Sequence, residues 1–189
     1  MSVFWCVINI VRSIPALLLF FKSSCHQEIC DDLFRNGCKK ASWWELHKTL
    51  MNNCAFRSIF YYRTNKCAPF ITKLSKLLLC PETTIGVDAE YIDGGMIIWH
   101  GFSTIVYAKK IGKNFTVYQQ VTIGRGKSIN GNSIPIIGDN VTVYAGAIIV
   151  GGVHIGNNVS IGAGAVVVND VPDNTTVVGA PVRYISKQL

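Results

Sequence analysis

An aliphatic residue recurs at every sixth position over much of the second half of the chain, with one interruption. The positions are Ile111, Val117, Ile123, Ile137, Val143, Ile149, Ile155, Ile161 and Val167. A repeat this short cannot bury its own apolar side chain, so successive repeats must stack, each contributing one short strand. The pattern therefore predicts a parallel β-helix in which three strands close one triangular coil.

A longer repeat runs through the same region. Ala145-Gly146-Ala147 returns one coil later as Ala163-Gly164-Ala165, and Asp139-Asn140-Val141 returns as Asn157-Asn158-Val159. Gly, Asn and Asp supply the positive φ or small bulk that tight corners need, whereas β-branched residues suit the interior. The corners of this mainly β fold are thus predicted at the small and polar positions.

The first 81 residues show helical signals instead. A first helix is expected to start at Ser13 or Pro15, since Pro is tolerated in a first turn, and to run to Phe21. Further helices are predicted over residues 28–35, closed by Gly37, after a Ser42/Glu45 capping box, and over residues 70–79. We therefore predict an α-helical assembly or docking segment over residues 1–81 and a catalytic β-helix over residues 82–189.

The net charge of +7 is placed unevenly along the chain. Residues 1–81 carry eleven Lys and Arg against four acids, whereas residues 82–189 carry seven of each. Nucleic-acid binding needs basic residues interleaved with aromatic ones on one surface, and the β-helix has no such excess. A nucleic-acid partner is therefore not expected.

All seven cysteines lie in the first part of the chain, and none forms a C-x-x-C pair. They are Cys6, Cys25, Cys30, Cys38, Cys54, Cys67 and Cys80. An odd count without a recognisable cleavable leader predicts reduced thiols in a cytoplasmic protein, most of them acting as small buried apolar residues.

The apolar stretch over residues 4–21 raises the question of a membrane span. Asn9, Arg12 and Pro15 interrupt it, so an amphipathic packing or oligomerisation helix is the favoured interpretation. The aromatic residues and surplus positive charge leave peripheral contact with an anionic membrane surface as the alternative.

His100 is the candidate for chemistry. It lies in Ile98-Trp99-His100-Gly101-Phe102, an early coil where the period lengthens. An imidazole on a coil wall, beside a glycine that clears space, can remove a proton from a hydroxyl near neutral pH. A solvated structural histidine is the alternative interpretation.

Several motifs resemble, in the same order, those of bacterial serine acetyltransferases and related polysaccharide O-acetyltransferases of the hexapeptide-repeat superfamily. They span roughly residues 83 to 185 and are Trp99-His100-Gly101, Gln119-Gln120-Val121-Thr122-Ile123-Gly124, Gly162-Ala163-Gly164-Ala165, Val171-Pro172-Asp173-Asn174 and Gly179-Ala180-Pro181-Val182-Arg183. The resemblance implies a left-handed β-helix, an exception to the right-handed crossover rule, assembled as a trimer or a dimer of trimers. It also implies acetyl-CoA as acyl donor, active sites in clefts between subunits, and His100 as the general base.

The donor site is expected on small residues stacked one coil apart: Ala145, Gly146, Ala163 and Gly164. A groove of small side chains and backbone polar groups suits the narrow pantetheine chain, although the same residues suit plain tight corners. In the resembling family a basic residue at the position of Arg183 is commonly found near the CoA nucleotide. An exposed arginine without a role is the alternative for Arg183.

The repeat breaks at residues 125–133, a polar and Gly-rich excursion expected to cover the cleft beside His100. Its Gly126-Lys127-Ser128 triplet lacks the spacing and the strand-to-helix context of a phosphate-binding loop. We therefore reject a P-loop.

The expected acceptor follows from departures from the serine-specific pattern. The resembling serine enzymes carry an acid before the catalytic histidine, another about one coil earlier, and a second histidine before a proline. This chain has Trp99, Ile85 and Ile134 at those places. Apolar walls favour the C–H face of a sugar, so a sugar hydroxyl of a polysaccharide or its precursor is the expected acceptor, and serine the alternative.

Trp99, Gln119 and Gln120 are then the expected acceptor-binding residues. Glu90 or Asp93 is the candidate for a missing acid beside His100, should the early coils take another register.

Two other classes of function remain. Zinc carbonic anhydrases built on this repeat need three converging histidines, but the β-helix has only His100 and His154, so no metal is expected. A solenoid scaffold without catalysis is the remaining alternative, because a fold alone does not confer activity.

Overall fold

The computed structural model describes residues 3 to 129 and 131 to 179, and side chains from residue 9 onwards, apart from Lys22. Five helices come first: α1 Val3–Lys22, α2 His26–Arg35, α3 Trp43–Asn52, α4 Cys54–Cys67 and α5 Pro69–Leu78. Twelve strands follow: β1 Ile85–Ile92, β2 Ile97–Ile98, β3 Thr104–Ile111, β4 Thr116–Val117, β5 Thr122–Gly124, β6 Ile136–Ile137, β7 Thr142–Val143, β8 Ile148–Val150, β9 His154–Ile155, β10 Ser160–Ile161, β11 Val166–Val167 and β12 Thr176–Val177.

The predicted start of the first helix is wrong, because α1 continues through Pro15 from Val3. A proline inside a helix leaves the carbonyl four residues earlier without a donor. Here that carbonyl belongs to Val11, an exposed residue. Within the described residues, no helix combines the length and the apolar character needed to cross a bilayer.

The cap predicted for α3 is half confirmed. Ser42 Oγ accepts a hydrogen bond from the backbone N–H of Glu45 at 3.3 Å. The Glu45 carboxylate does not complete the capping box but pairs with Lys48 at 2.6 Å. The predicted second and last helices correspond to α2 and α5, and Gly37 takes a φ of 91° after α2.

α4 is absent from the sequence prediction, although it contributes to the core of the helices and to the core of the β-helix. Phe56, Phe60 and Tyr61 are buried among the other helices, whereas Ala55 and Ile59 join the core of the β-helix. A helix buried on several sides lacks the single apolar stripe by which amphipathic helices are recognised.

The strands form three parallel stacks, one on each face of a triangular prism of about five turns. The first face holds the first parts of β1 and β3 with β5, β8 and β11, and the second holds the ends of β1 and β3 with β6 and β9. The third face holds β2, β4, β7, β10 and β12. Every six-residue position of the predicted pattern points inward, with at most 3% of its surface exposed. The predicted fold class, a left-handed parallel β-helix preceded by helices, is confirmed.

The corner between the second and third faces, which we call the asparagine corner, is built by Asn114, Asn140, Asn158 and Asn174. Each has a φ of 55° to 58°. Their side-chain amides form a continuous chain of hydrogen bonds from coil to coil, at 2.9, 3.0 and 2.9 Å. The predicted role of the Asn-Val repeats as corners is therefore confirmed at this edge.

The helices are joined to the first coil by a buried ion pair between Arg63 of α4 and Asp32 of α2, 2.7 Å apart. Arg63 also donates to the carbonyls of Ile92 and Asp93, at 2.6 and 2.7 Å. Asp32 accepts in addition from the backbone N–H of Met96 at 2.8 Å. The pair therefore fixes both helices to the connection between β1 and β2.

Candidate active site

His100 lies in the turn from β2 to β3, at the edge between the third and first faces, which we call the His100 corner. Its backbone takes a φ of 51°, and Ser103 takes a φ of 52°. The backbone N–H of Phe102 donates to the carbonyl of His100 at 2.6 Å, which closes the turn. The side chain of His100 is exposed, as general-base chemistry on a bound substrate requires.

The prediction that Gly101 leaves open space beside His100 is wrong, because the missing side chain is needed for close packing. The residue is buried, and a Cβ atom placed there would run into the side chains of Ile98 and Ile85. The turn can therefore sit directly on the coil beneath it only if residue 101 has no side chain.

The predicted donor-site residues lie in the same corner column as His100. The N–H of Gln120 donates to the carbonyl of Phe102 at 3.1 Å, one coil above His100. The next links run from Gly146 N–H to Gln119 O at 3.0 Å and from Gly164 N–H to Ala145 O at 2.9 Å. Coils spaced by about 4.8 Å place Gly164 about 14 Å along the column from the His100 turn.

This column has an open, shallow surface. Gly146 and Gly164 take φ values of 71° and 67°, and a Cβ at Gly164 would meet nothing within 4 Å. Their N–H groups are already used between coils, so the backbone donors expected to face a ligand are not free at these two residues. Arg183 lies outside the described residues.

An aromatic row runs beside the column on the third face, and only its first member is predicted from the sequence. Trp99 has 48% of its surface exposed, and its backbone N–H donates to the carbonyl of Val117 at 2.8 Å. Tyr118 and Tyr144 follow one coil apart, with stacked rings whose centroids are 5.2 Å apart. Each aromatic residue directly follows an inward aliphatic residue, which is the sequence signal that could have revealed the row.

The predicted acids lie at other corners. Asp93 directly follows β1 and lies at the asparagine corner, where the neighbouring Gly94 carbonyl accepts from Asn114 N–H at 3.0 Å. Glu90 lies within β1, near the corner between the first and second faces, and its carbonyl accepts from Lys66 Nζ. Neither shares the corner of His100, so the idea that one of them orients the imidazole within a single chain is wrong.

Glu82, in contrast to Asp93 and Glu90, lies at the same corner as His100, one coil earlier. This alignment follows from the hydrogen bond of Thr104 N–H to the Thr84 carbonyl at 3.1 Å. The exposed Glu82 carboxylate accepts from Thr84 Oγ1 at 3.0 Å, which lowers the pKa of that carboxyl. Glu82 is thus engaged by its own loop.

The excursion over residues 125–133 lies at the corner between the first and second faces. Gly126 N–H donates to Ser133 O at 3.1 Å, and Gly152 N–H donates to Lys127 O at 3.0 Å. The excursion therefore covers Gly151 and Gly152. The prediction that it covers the cleft beside His100 is wrong within one chain. Asn130 lies outside the described residues.

His154 lies on the second face, on β9, and its imidazole is exposed. Among the residues that the structure describes, no three His, Cys, Asp or Glu side chains come together as metal ligands. His100 and His154 occupy different sides of the prism, so the geometry of a zinc carbonic anhydrase is not formed by them.

A family model described as "Bacterial transferase hexapeptide (six repeats)" matches residues 135–169. A serine acetyltransferase from Staphylococcus epidermidis is 36% identical over 131 residues, covering 69% of this chain and 60% of the relative. One from Synechococcus elongatus is 33% identical over 156 residues, covering 82% and 63%. The chain thus spans less than two thirds of the length of these curated relatives.

Solved structures agree in fold. The serine acetyltransferase of Neisseria gonorrhoeae, crystallised in complex with serine, is 26% identical, covers 88% of this chain and 71% of its own, and superimposes with a TM-score of 0.62. Soybean serine acetyltransferase is 24% identical and has a TM-score of 0.60. Stacked coils, an exposed histidine at a corner and these likenesses together show that the chain belongs to the hexapeptide-repeat superfamily and, within it, is similar to the serine acetyltransferases.

Proposed function

We propose that the protein is an acetyl-CoA-dependent serine O-acetyltransferase with His100 as its general base. The observation that carries the proposal is the single corner column that holds the exposed His100 and the small residues Ala145, Gly146, Ala163 and Gly164. The named relatives support acetyl transfer, and their shared name supports serine as the acceptor. The proposed reaction therefore rests on the corner column and on the similarity to the named relatives together.

In the proposed reaction, the neutral imidazole of His100 accepts the proton of the acceptor hydroxyl. The hydroxyl oxygen attacks the carbonyl carbon of the acetyl thioester and forms a tetrahedral intermediate. Collapse of this intermediate breaks the carbon–sulfur bond, and the imidazolium returns its proton to the departing CoA sulfur. A general base of this kind contributes roughly 100-fold to 10,000-fold to the rate.

The pantetheine arm is proposed to lie along the column, against Ala145, Gly146, Ala163 and Gly164, with Arg183 near the nucleotide. Side chains larger than Ala would obstruct this path, because the column is shallow. The chemistry as written needs no metal, and CoA enters only as the carrier of the acetyl group.

The relatives favour a different acceptor from the one predicted from the sequence. The expected sugar hydroxyl on a polysaccharide finds no support among the relatives, which are serine acetyltransferases. Serine, the alternative acceptor in the sequence prediction, fits these relatives better. Gln119 and Gln120 lie one coil above the His100 turn and remain proposed acceptor contacts; the Gln119 Oε1 atom is buried with no hydrogen-bond partner among the described residues.

A sugar stays as the second candidate because of one observation, the aromatic row of Trp99, Tyr118 and Tyr144 beside the catalytic corner. Flat aromatic faces suit the C–H face of a sugar ring, whereas the ammonium of serine is better served by a carboxylate. A glycan acceptor could extend along the row over several coils.

Release of the CoA thiol from acetyl-CoA, measured with a panel of acceptors, tests the proposal. The panel contains serine, threonine, simple sugars and nucleotide sugars, each compared with water alone. Serine-dependent release supports the main proposal, and release with sugars alone replaces serine by the second candidate. A chain that turns over none of them, and binds no acetyl-CoA by calorimetry, would be a scaffold.

We further propose that the chain assembles as a homotrimer, with active sites between subunits. The first face carries exposed aliphatic side chains next to the His100 corner, and these would be covered by a neighbouring copy. They are Ile105, Ile148, Val166 and Val168. The cytoplasmic location expected from the cysteines stays a prediction.

A dimer of such trimers is proposed to form through the helices. The exposed residues Val11, Ile14, Leu18 and Phe21 of α1 follow the spacing of three and four that is typical of a helix–helix seam. Light scattering should then give the mass of six chains, falling to three in a Leu18→Glu variant. Flotation of the wild-type chain with vesicles of anionic lipid would instead support the peripheral membrane contact.

A further inference from the structure

Cys25 and Cys67 bring two free thiols together at one end of the helical layer. Their Sγ atoms are 3.9 Å apart, although 42 positions separate them in sequence. Cys25 directly precedes α2, and Cys67 is the last residue of α4. Both cysteines therefore lie at element ends, where a side chain can turn without breaking a helix.

The two thiols have different surroundings. Cys67 is exposed and is hydrogen-bonded to Ser24 Oγ at 3.0 Å, which lowers the pKa of its thiol below the ordinary value. Cys25 is half-buried, and burial raises the pKa of its thiol to about 11. The thiolate is the nucleophilic form, so Cys67 is the thiol that reacts first.

A small reagent can reach the pair. Cys25 and Cys67 line an open depression of about 210 Å³ together with Ser24, Glu28 and Arg63. A depression of this volume admits a small reagent without any movement of the helices, since about 10–15 Å³ already holds a water molecule.

We propose that Cys25 and Cys67 form a peroxide-reactive dithiol that closes to an intramolecular disulfide. The Cys67 thiolate attacks one oxygen of hydrogen peroxide, which breaks the O–O bond, releases hydroxide and leaves a sulfenic acid on Cys67. The Cys25 sulfur then attacks the Cys67 sulfur, the sulfenic oxygen leaves, and the protons of both thiols complete two molecules of water. The two sulfurs are oxidised by two electrons and the peroxide is reduced.

Closure needs only local movement. A disulfide has its sulfurs about 2.05 Å apart, so the pair must approach by about 1.9 Å. Turning of the two side chains, with a small shift of the connection between α1 and α2, supplies a displacement of this size. The product ties that connection to the end of α4.

The test is peptide mapping of the full-length chain after brief exposure to a small molar excess of hydrogen peroxide. Trypsin releases Cys25 within residues 23–35 and Cys67 within residues 67–73, so the product is one linked pair of peptides. Because residues 23–35 also contain Cys30, the fragmentation spectrum must assign the link to Cys25. A Cys80→Ser variant serves as the control and should keep the link.

Two single variants separate the roles. In Cys25→Ser the sulfenic acid on Cys67 should persist and be trapped by the diketone dimedone, whereas Cys67→Ser should give no trapped product at Cys25. Alkylation of the reduced wild-type chain at neutral pH should label Cys67 several-fold faster than the exposed Cys54, which requires no variant to fold. A peroxide-treated chain linked through other cysteines or between chains, or equal alkylation of Cys67 and Cys54, would overturn the proposal. Neither result depends on acetyl transfer.

Discussion

At the residue scale, the proposed chemistry depends on a turn that holds one imidazole outside the prism. The positive φ of His100, and the hydrogen bond from Phe102 N–H to its carbonyl, fix the backbone there. A histidine tolerates this conformation better than a bulky or β-branched residue would. Backbone geometry thus presents the side chain at this corner.

Replacing His100 tests its role as the base. We expect His100→Ala to lower the turnover of acetyl-CoA with the best acceptor at least 100-fold, within the range for loss of a general base. His154→Ala is the matched control, since His154 is exposed on another face, and should retain wild-type activity. Unchanged turnover in His100→Ala would remove the proposed mechanism.

Gly101 gives a second prediction at this scale. A methyl group there would collide with Ile98 and Ile85, so Gly101→Ala should destabilise the fold by about 1–3 kcal/mol, the usual cost of overpacking. Gly86→Ala is the control, because a Cβ at Gly86 meets nothing within 4 Å. Urea unfolding measures both; equal midpoints for the two variants would show that the turn relaxes freely.

Single residues were predictable from the sequence wherever the repeat fixed their register. His100, Ala145 and Ala163 were correctly expected to be outside the core, because each has a fixed place relative to the six-residue period. The corners of Asp93 and Glu90 are not predictable, because they depend on the lengths of β1 and β3, which turn a corner without a break. That continuity leaves no mark in the hydrophobic pattern.

At the element scale, the asparagine corner shows how the coils hold their register. Each Asn combines a left-handed backbone with an amide in the hydrogen-bonded chain, and the amides of Asn140 and Asn158 bond both neighbours, so one residue type meets two demands. Among the L-residues, Asn tolerates this backbone with little cost, whereas Ala pays about 1–2 kcal/mol.

Two variants of Asn140 separate these demands. Asn140→Gly keeps the backbone and removes the amide bonds, so it should destabilise by about 1 kcal/mol. Asn140→Ala removes both and should destabilise by about 2–3 kcal/mol. Denaturant unfolding of both proteins checks the difference; if the Gly variant were as unstable as the Ala variant, the amide chain alone would account for the effect.

The helices differ in how far the sequence pattern predicts them. α3 was found from Ser42, because a cap is a local signal. The pattern does not reveal α4, because the burial of this helix depends on neighbours far away in sequence. The predicted start of α1 is too late, because Pro15 is typical of a first turn. In the fold, the carbonyl freed by Pro15 belongs to the exposed residue Val11, and the helix passes through the proline.

At the scale of the whole molecule, the question is whether the helices and the β-helix fold as one unit. The sequence predicted a boundary between residues 81 and 82, and that division stays a prediction. The Asp32–Arg63 pair bears on it directly, since each partner lies on a helix and both reach the connection from β1 to β2. The two charges are almost fully buried, so each depends on the other for its hydrogen bonds.

Removing one partner should therefore uncouple the two parts. Arg63→Met leaves the Asp32 carboxylate buried without its partner, and we expect a loss of about 3–5 kcal/mol. Asp32→Asn/Arg63→Met should recover part of that loss, because no buried charge is then left unpaired. Calorimetry distinguishes the outcomes: one transition in the wild type that divides into two in Arg63→Met shows that the pair couples helices and coils. A single transition, shifted by less than that of the surface control Lys48→Met, would show that apolar packing of Ala55 and Ile59 against the coils joins them instead.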